Sequence, residues 1–176
     1  MLKGKKIALR AMEPADIEPL LAWENNTDNW LNSDTHRPFS RHAIENHVLN
    51  ATDVHTDKQL RLMITLNEED HAIGAVDLFD CDFVNGRAGV GILIEKQTDR
   101  GKGHGLEALE LLAEYAREVL LLHQLFAEII ASNEKSIHLF ERAGFVECGR
   151  RRDWIKRPKG YLDTVLMQIV FDDHGA

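Results

Sequence analysis

Apolar positions along this chain switch between a period of two and a period near 3.6, and the switches mark its elements. Ile7 to Arg10 reads as a short strand. Pro14 and Asp16 open a helix whose Ile17, Leu20, Leu21 and Trp23 share one side. The polar stretch Asn25 to Asp34 reads as a loop with Trp30 embedded, and Ser40 caps a second helix from about Arg41 to Leu49. Leu60 to Leu66 is a strand and Asn67 to Asp70 its turn. Ala72 to Phe83 is a longer strand, with Ala75, Asp77 and Phe79 on one face and Val76 and Leu78 on the other. Asn85-Gly86 is a hairpin signal leading into Ala88–Ile94.

A long helix follows Gly105, with Leu109, Leu112, Ala113, Ala116 and Val119 as its buried stripe. Gln124 to Ala131 is a buried strand. Asn133 caps a helix that Gly144 stops, with Ile137, Phe140 and Ala143 facing inward. Phe145 to Trp154 and Tyr161 to Phe171 are two closing strands, joined through Pro158-Lys159-Gly160. The pattern predicts one α/β (α+β) domain over residues 1–171: a mixed, mostly antiparallel sheet of about six or seven strands, with helices on both faces. Residues 172–176 are expected to be a frayed tail.

Composition narrows the partners. The 176 residues include 21 Lys+Arg against 29 Asp+Glu, a formal net charge of -8. Affinity for duplex nucleic acid rests on neutralising phosphates, so such a chain suits a small cation better. The cluster Arg150-Arg151-Arg152 is short and reads as a solvated strand edge. Cys81 and Cys148 read as free thiols in a reducing compartment. No run approaches the roughly 20 apolar residues of a membrane span, and the N-terminus lacks a signal-peptide pattern. A cytoplasmic protein is expected.

The chemistry concentrates after the third meander strand. Arg100-Gly101-Lys102-Gly103-His104-Gly105 carries a strand into a helix through glycines and cations. Successive backbone N–H groups and the positive end of a helix dipole suit a pyrophosphate, which small residues let the backbone approach. The loop is neither a Walker A sequence nor a dinucleotide fingerprint, since position 106 is Leu. A plain glycine-rich turn is the alternative. No histidine pair has zinc-protease spacing and neither Cys has a partner at metal spacing, so no metal is expected. G-x-S-x-G is missing as well, which argues against a serine nucleophile.

Arg100-x-x-Gly103-x-Gly105 resembles the acyl-CoA pyrophosphate motif of the GCN5-related N-acetyltransferase (GNAT) superfamily. Asn133-x-x-Ser136, Leu139-Phe140-Glu141 and Gly144-Phe145 resemble its next conserved helix. Leu9-Arg10-Ala11-Met12-Glu13-Pro14-Ala15-Asp16 and Gly160-Tyr161-x-Asp163-x-x-x-Met167 resemble the branch of ribosomal-protein N-terminal and spermidine acetyltransferases. The resemblance spans nearly the whole chain, in the right order.

It implies acetyl-CoA as co-substrate and an amine as acceptor: a polyamine, another small amine or a protein N-terminus. It implies that Gly91–Ile94 and Leu125–Ala131 splay around the pantetheine. A backbone N–H near Ile92, Leu93 or Ile94 would bind the thioester carbonyl, and Arg100, Gly101, Lys102, Gly103, His104 and Gly105 would hold the pyrophosphate. The loop from Ile94 to Arg100 is about one residue longer than is common in the family. Asn133 and Ser136 would contact the cofactor. Phe140 stands where the family often has a Tyr that protonates the thiolate, so Tyr161 or a water would supply that proton, or no side-chain acid is needed. A non-catalytic acyl-CoA-binding module is the rival reading, and a homo-oligomer is conceivable in either case.

An ammonium acceptor must lose a proton before it attacks. Asp77, Asp80 and Asp82 lie on or beyond the central meander strand. Asp77 is the first choice as proton acceptor, with a structural role equally open, while Asp80 and Asp82 read as hairpin charges. Trp23, Trp30 and Phe39 are candidates to line an acceptor pocket, Trp23 being the better core residue and Trp30 the better site residue.

Overall fold

A computed structural model describes residues 2–30, 35, 37–67 and 71–171. Its strands are β1 (Leu2–Lys3), β2 (Ile7–Ala11), β3 (Leu60–Leu66), β4 (Ala72–Asp82), β5 (Arg87–Ile94), β6 (Gln124–Ile130), β7 (Val146–Arg157) and β8 (Gly160–Val170). Its helices are α1 (Ile17–Glu24), α2 (Thr27–Trp30), α3 (Arg41–Leu49), α4 (Val54–Asp57), α5 (His104–Glu118) and α6 (Glu134–Arg142).

The strands form one sheet in the order β1-β2-β3-β4-β5-β6-β8-β7. All neighbours are antiparallel except β5 and β6. The fold class is therefore as expected, but the sheet has eight strands rather than six or seven. The added one, Leu2–Lys3, pairs Leu2 with Leu9 and Lys3 with Ala8. Two residues are too few to show a period, so this strand is legible only from its partner. The polar stretch expected to be loop from residue 25 folds at Thr27–Trp30 into a short helix, and 31–34 lie outside the described residues. Residues 68–70 of the expected turn and the tail 172–176 lie outside them too.

Two apolar layers enclose the sheet. One face buries Ile7, Leu9, Ile64, Val76, Leu78 and Val90 against Ala108, Leu109, Leu112 and Ala116 of α5, continuing to Phe140 of α6. The other packs Met63 and Ala75 against Leu20 and Trp23 of α1 and Ile44 and Val48 of α3. The alternation along β4 thus separates these faces: Ala75, Asp77 and Phe79 look toward α1 and α3. Trp23 is core, as read from the sequence.

Local chemistry sets the element ends. Ser40 accepts from the Ala43 amide and caps α3. At the β4–β5 hairpin the Asp82 carboxylate accepts from the amides of Val84 and Asn85, and Gly86 turns at φ 63°. The start of α1 is fixed to β2 by a buried bidentate pair, Arg10 to Asp16 at 2.6 and 2.9 Å, and Asp16 also accepts the Glu13 amide. Asp16→Ala would remove the bidentate partner of Arg10 while leaving its bond to the Ala11 carbonyl, so the unfolding free energy should fall by about 3 kcal/mol in urea denaturation. A loss below about 1 kcal/mol would show the pair to be dispensable.

Candidate active site

The parallel pair β5–β6 is short. Among the described residues it consists of Arg87 with Gln124, Ala88 with Leu125 and Gly89 with Phe126. Beyond Gly89, Val90–Ile94 pair with β4 on one side only, while Ala127–Ile130 continue to pair with β8. The strands therefore part, as the resemblance implied.

An aromatic wedge marks the fork. The Phe79 ring lies across Gly89, where a Cβ would stand 2.3 Å from Phe79 Cε2, and meets Phe126 edge-on at 6.0 Å between ring centres. Any larger residue at 89 would displace that ring.

Register decides which amides face the gap. The Glu95 N–H donates to the Ile73 carbonyl, and Leu93 and Gly91 stand opposite Ala75 and Asp77. Antiparallel bonding alternates, so Gly91, Leu93 and Glu95 turn their backbone groups to β4, and Val90, Ile92 and Ile94 turn theirs to the gap. Of the three residues expected near the thioester, Ile92 and Ile94 are thus brought to the gap by their backbones. Leu93 instead packs its side chain toward α1 and α3.

The loop after β5 sits at the same end. Gln97–Asp99 form a single 3-10 turn in it. Arg100 folds back over this turn: Nε donates to the Ile94 carbonyl at 2.7 Å and Nη2 to the Glu95 carbonyl at 3.0 Å. Its guanidinium ties the loop back to the end of β5. Gly101 and Gly103 adopt φ 75° and 90°, which only glycine takes freely, and Gly103 is the N-cap of α5. Lys102 Nζ lies 3.7 Å from Asp99. His104 opens α5 buried at 7% exposure, with Nδ1 unbonded among the described residues. Gly105 faces Leu139 and Ile92, with a Cβ position 3.4 and 3.7 Å from them, so β5, α5 and α6 converge here.

α6 starts at the same rim. Asn133 accepts the Ser136 amide at 3.2 Å as its N-cap. Phe140 is buried, its ring edge-on to Phe145 at 5.0 Å. Tyr161 is 56% exposed at the turn end of β8, past the last β6 pairing at Ile130 and Thr164. Arg157 from that hairpin reaches the Trp30 carbonyl at 3.5 Å, so the hairpin leans toward α2.

Charged groups line the α1–α3 face on both sides of the gap. The Asp77 carboxylate lies against Gly91, its Oδ2 at 3.7 Å from where a Cβ would be. Its two oxygens accept from Arg61 at 2.6 and 3.1 Å, and Arg61 also donates to Glu24 at 2.6 Å. Burial opposes the charge on Arg61, but Asp77 and then Glu24 hold its pKa well above the ordinary value. A cavity of about 190 Å³ adjoins this cluster, lined by His47, Arg61, Asp77 and Phe79 among others. Across the gap, Glu128 accepts from Arg151 and Thr164, each at 2.5 Å. At the mouth, Glu95 accepts from Asn26 at 3.1 Å and Asn29 at 2.9 Å, tying the α1–α2 segment to the end of β5.

Sequence reasoning identified Asp77 but not Arg61, Glu24, His47, Glu95 or Glu128. Only Glu95 carried a local signal, its place next to Ile94; the others depend on strand register and helix packing. Asp80 and Asp82 remain at the hairpin. Asp80 has φ 48° at a bulge, and Asp82 caps the turn. Both cysteines are free, and no helix among the described residues is long and apolar enough to cross a membrane.

Residues 6–146 match the Acetyltransferase (GNAT) domain family. The chain is 30% identical over 181 residues to the probable N-acetyltransferase YjcK of Bacillus subtilis, covering 98% of each. It is 25% identical to the spermidine N(1)-acetyltransferase of Vibrio cholerae, over 95% of this chain and 94% of that one. The crystal structure of the Vibrio cholerae spermidine N-acetyltransferase with CoA and spermine superposes with a TM-score of 0.84 at 24% identity, covering 95% and 96% of the two chains. The chain belongs to the GNAT acetyltransferase family. It is an N-acetyltransferase.

His47 gives this site a measurable pH signature. Burial, then the Arg61 guanidinium, hold its imidazole below the ordinary 6.5, against upward pulls from Asp77, Glu24 and Asp57. The unfolded chain therefore takes up this proton at higher pH than the folded one. Stability linked to His47 is complete above pH 6.5 and is lost as pH falls below it. His47→Gln should flatten the stability profile between about pH 7 and 5 in urea titrations. Equal slopes in both proteins would refute the assignment.

Proposed function

We propose that this N-acetyltransferase uses acetyl-CoA as co-substrate and transfers its acetyl group directly to a primary amine in a ternary complex. The observation that carries the reading is the parted β5–β6 pair, with Ile92 and Ile94 facing the gap beside the glycine loop. Pantetheine would lie in that gap and satisfy one-sided backbone groups. The pyrophosphate would sit at the start of α5, on the amides of Gly101, Lys102, Gly103, His104 and Gly105, with Arg100 holding the loop's shape. The buried, unbonded Nδ1 of His104 fits a site completed by a polar ligand. Asn133 and Ser136 would meet the pantetheine from α6, where Phe140 backs the wall.

The acceptor is a polyamine or other small amine, or a protein N-terminus, and the charge distribution favours the small cation. One guanidinium between Glu24 and Asp77 leaves a net negative charge beside the gap, and Glu95 adds another at the mouth. The similarity to an enzyme that carries spermine in its crystal structure supports the same class of acceptor.

In the proposed reaction Asp77 takes the ammonium proton, through water. The nitrogen lone pair then attacks the thioester carbon, and the Ile92 or Ile94 N–H stabilises the oxyanion, one such donor contributing ~3 kcal/mol. The C–S bond breaks and its electron pair leaves on sulfur; the new amide nitrogen gives its extra proton to water, and the thiolate takes a proton from water or from Tyr161, which water then reprotonates. Phe140 carries no proton to give, so that step falls to water or Tyr161. Release of free CoA with a panel of amines tests the transfer: release on a small amine supports the proposed acceptor, and binding without release on any of them overturns it. The apolar groups exposed on the edge hairpin, Val146, Trp154, Tyr161 and Val170, support a homo-oligomer.

Two variants test the two halves of the site. Gly103→Val forces a β-branched residue to φ 90° and should weaken CoA binding about tenfold or more by calorimetry. Unchanged affinity would remove the loop from the coenzyme site. Asp77→Asn should lower kcat by about 100-fold while the CoA Kd stays within about twofold. Kinetics equal to the parent's would exclude Asp77 as the proton acceptor.

A further inference from the structure

The glycine loop is held from the other end of the chain. Glu107, in the first turn of α5, accepts the backbone N–H of Lys5 and, at 3.2 Å to each carboxylate oxygen, that of Lys6. This seats the β1–β2 turn on α5 and extends Lys6 over the loop. There Lys6 Nζ lies 2.8 Å from the Lys102 carbonyl oxygen, and a Cβ on Gly103 would stand 3.4 Å from the same ammonium.

The 102–103 peptide needs such a restraint. It follows Gly101 by one residue and ends on Gly103, both at positive φ, and glycines hold no side chain to fix them. No peptide bond among the described residues is cis, so the carbonyl of residue 102 and the N–H of residue 103 point in opposite directions. The ammonium that grips the carbonyl therefore turns the Gly103 N–H away from the β1–β2 turn. The loop's own cations are engaged elsewhere, Arg100 on the carbonyls of Ile94 and Glu95 and Lys102 near Asp99.

We infer that Lys6 is a positioning residue for coenzyme binding: by holding the Lys102 carbonyl it aims the Gly103 N–H at the pyrophosphate. The inference rests on reading Arg100–Gly105 as the pyrophosphate cradle.

The test compares the wild type, Lys6→Met and Lys6→Arg by calorimetry with two probes: CoA, and pantetheine, which has the thiol arm without the pyrophosphate. Thermal melting of each variant accompanies the titrations. The expected result is a CoA Kd about tenfold higher in Lys6→Met, a pantetheine Kd unchanged, substantial recovery in Lys6→Arg, and a Tm close to the parent's. A Lys6→Met protein that binds CoA as tightly as the wild type, while the wild type prefers CoA to pantetheine, overturns the role of Lys6 and leaves the cradle standing. Equal loss for both probes overturns it too, since the effect would then be general. A wild type that binds CoA no better than pantetheine overturns the cradle itself, and the Lys6 inference with it.

Discussion

The separation of β5 from β6 is the constraint on which the rest of the site depends. Backbone N–H and C=O groups in a sheet normally find partners on both sides. Here Gly91 and Leu93 keep β4, while Val90, Ile92 and Ile94 face the side where β6 is lost after three residue pairs. The Phe79 ring crosses a bare Gly89 and meets Phe126 at the last β5–β6 pair. Beyond it lies a row of one-sided polar groups in the middle of a sheet. A ligand with its own amides can complete that row.

The charges around the fork are paired rather than bare. Asp77 is locked to Arg61, Glu128 to Arg151, and Glu95 to two asparagine amides. Half-buried carboxylates without such partners would carry a large desolvation cost. The pairing also sets geometry, because a bidentate guanidinium fixes a carboxylate in orientation as well as position. Since one guanidinium serves two acids, each charge in the cluster has a partner and the cluster still carries a net negative charge.

The coenzyme side is assembled from distant segments in the same way. Arg100 ties the loop back to the end of β5, Gly105 lets Ile92 and Leu139 come together, and Glu107 anchors the first turn of the chain. A motif read as a phosphate binder is therefore partly a scaffold. Its arginine holds carbonyls, and the lysine lying on the loop is almost a hundred residues away in sequence.

Amino-acid order alone determined the elements with a strong period and the motifs whose chemistry is local. The alternation of Ala75, Asp77 and Phe79, the Ser40 and Asn133 caps, the stripe of α5 as far as Ala116 and the glycine loop could be read because each depends on neighbours within about one turn or a few strand residues; Val119, expected in that stripe, follows the last helical residue and is 61% exposed. Strand β1, the helix at Thr27–Trp30, the partners of Asp77 and the turn of Arg100 back to β5 could not be read. They are set by which strands lie side by side, in which register, and by what packs across them. Whether Ile92 or Leu93 turns its amide to the gap depends on hydrogen-bond alternation against β4. A shift of one residue would exchange them, and only the assembled sheet chooses.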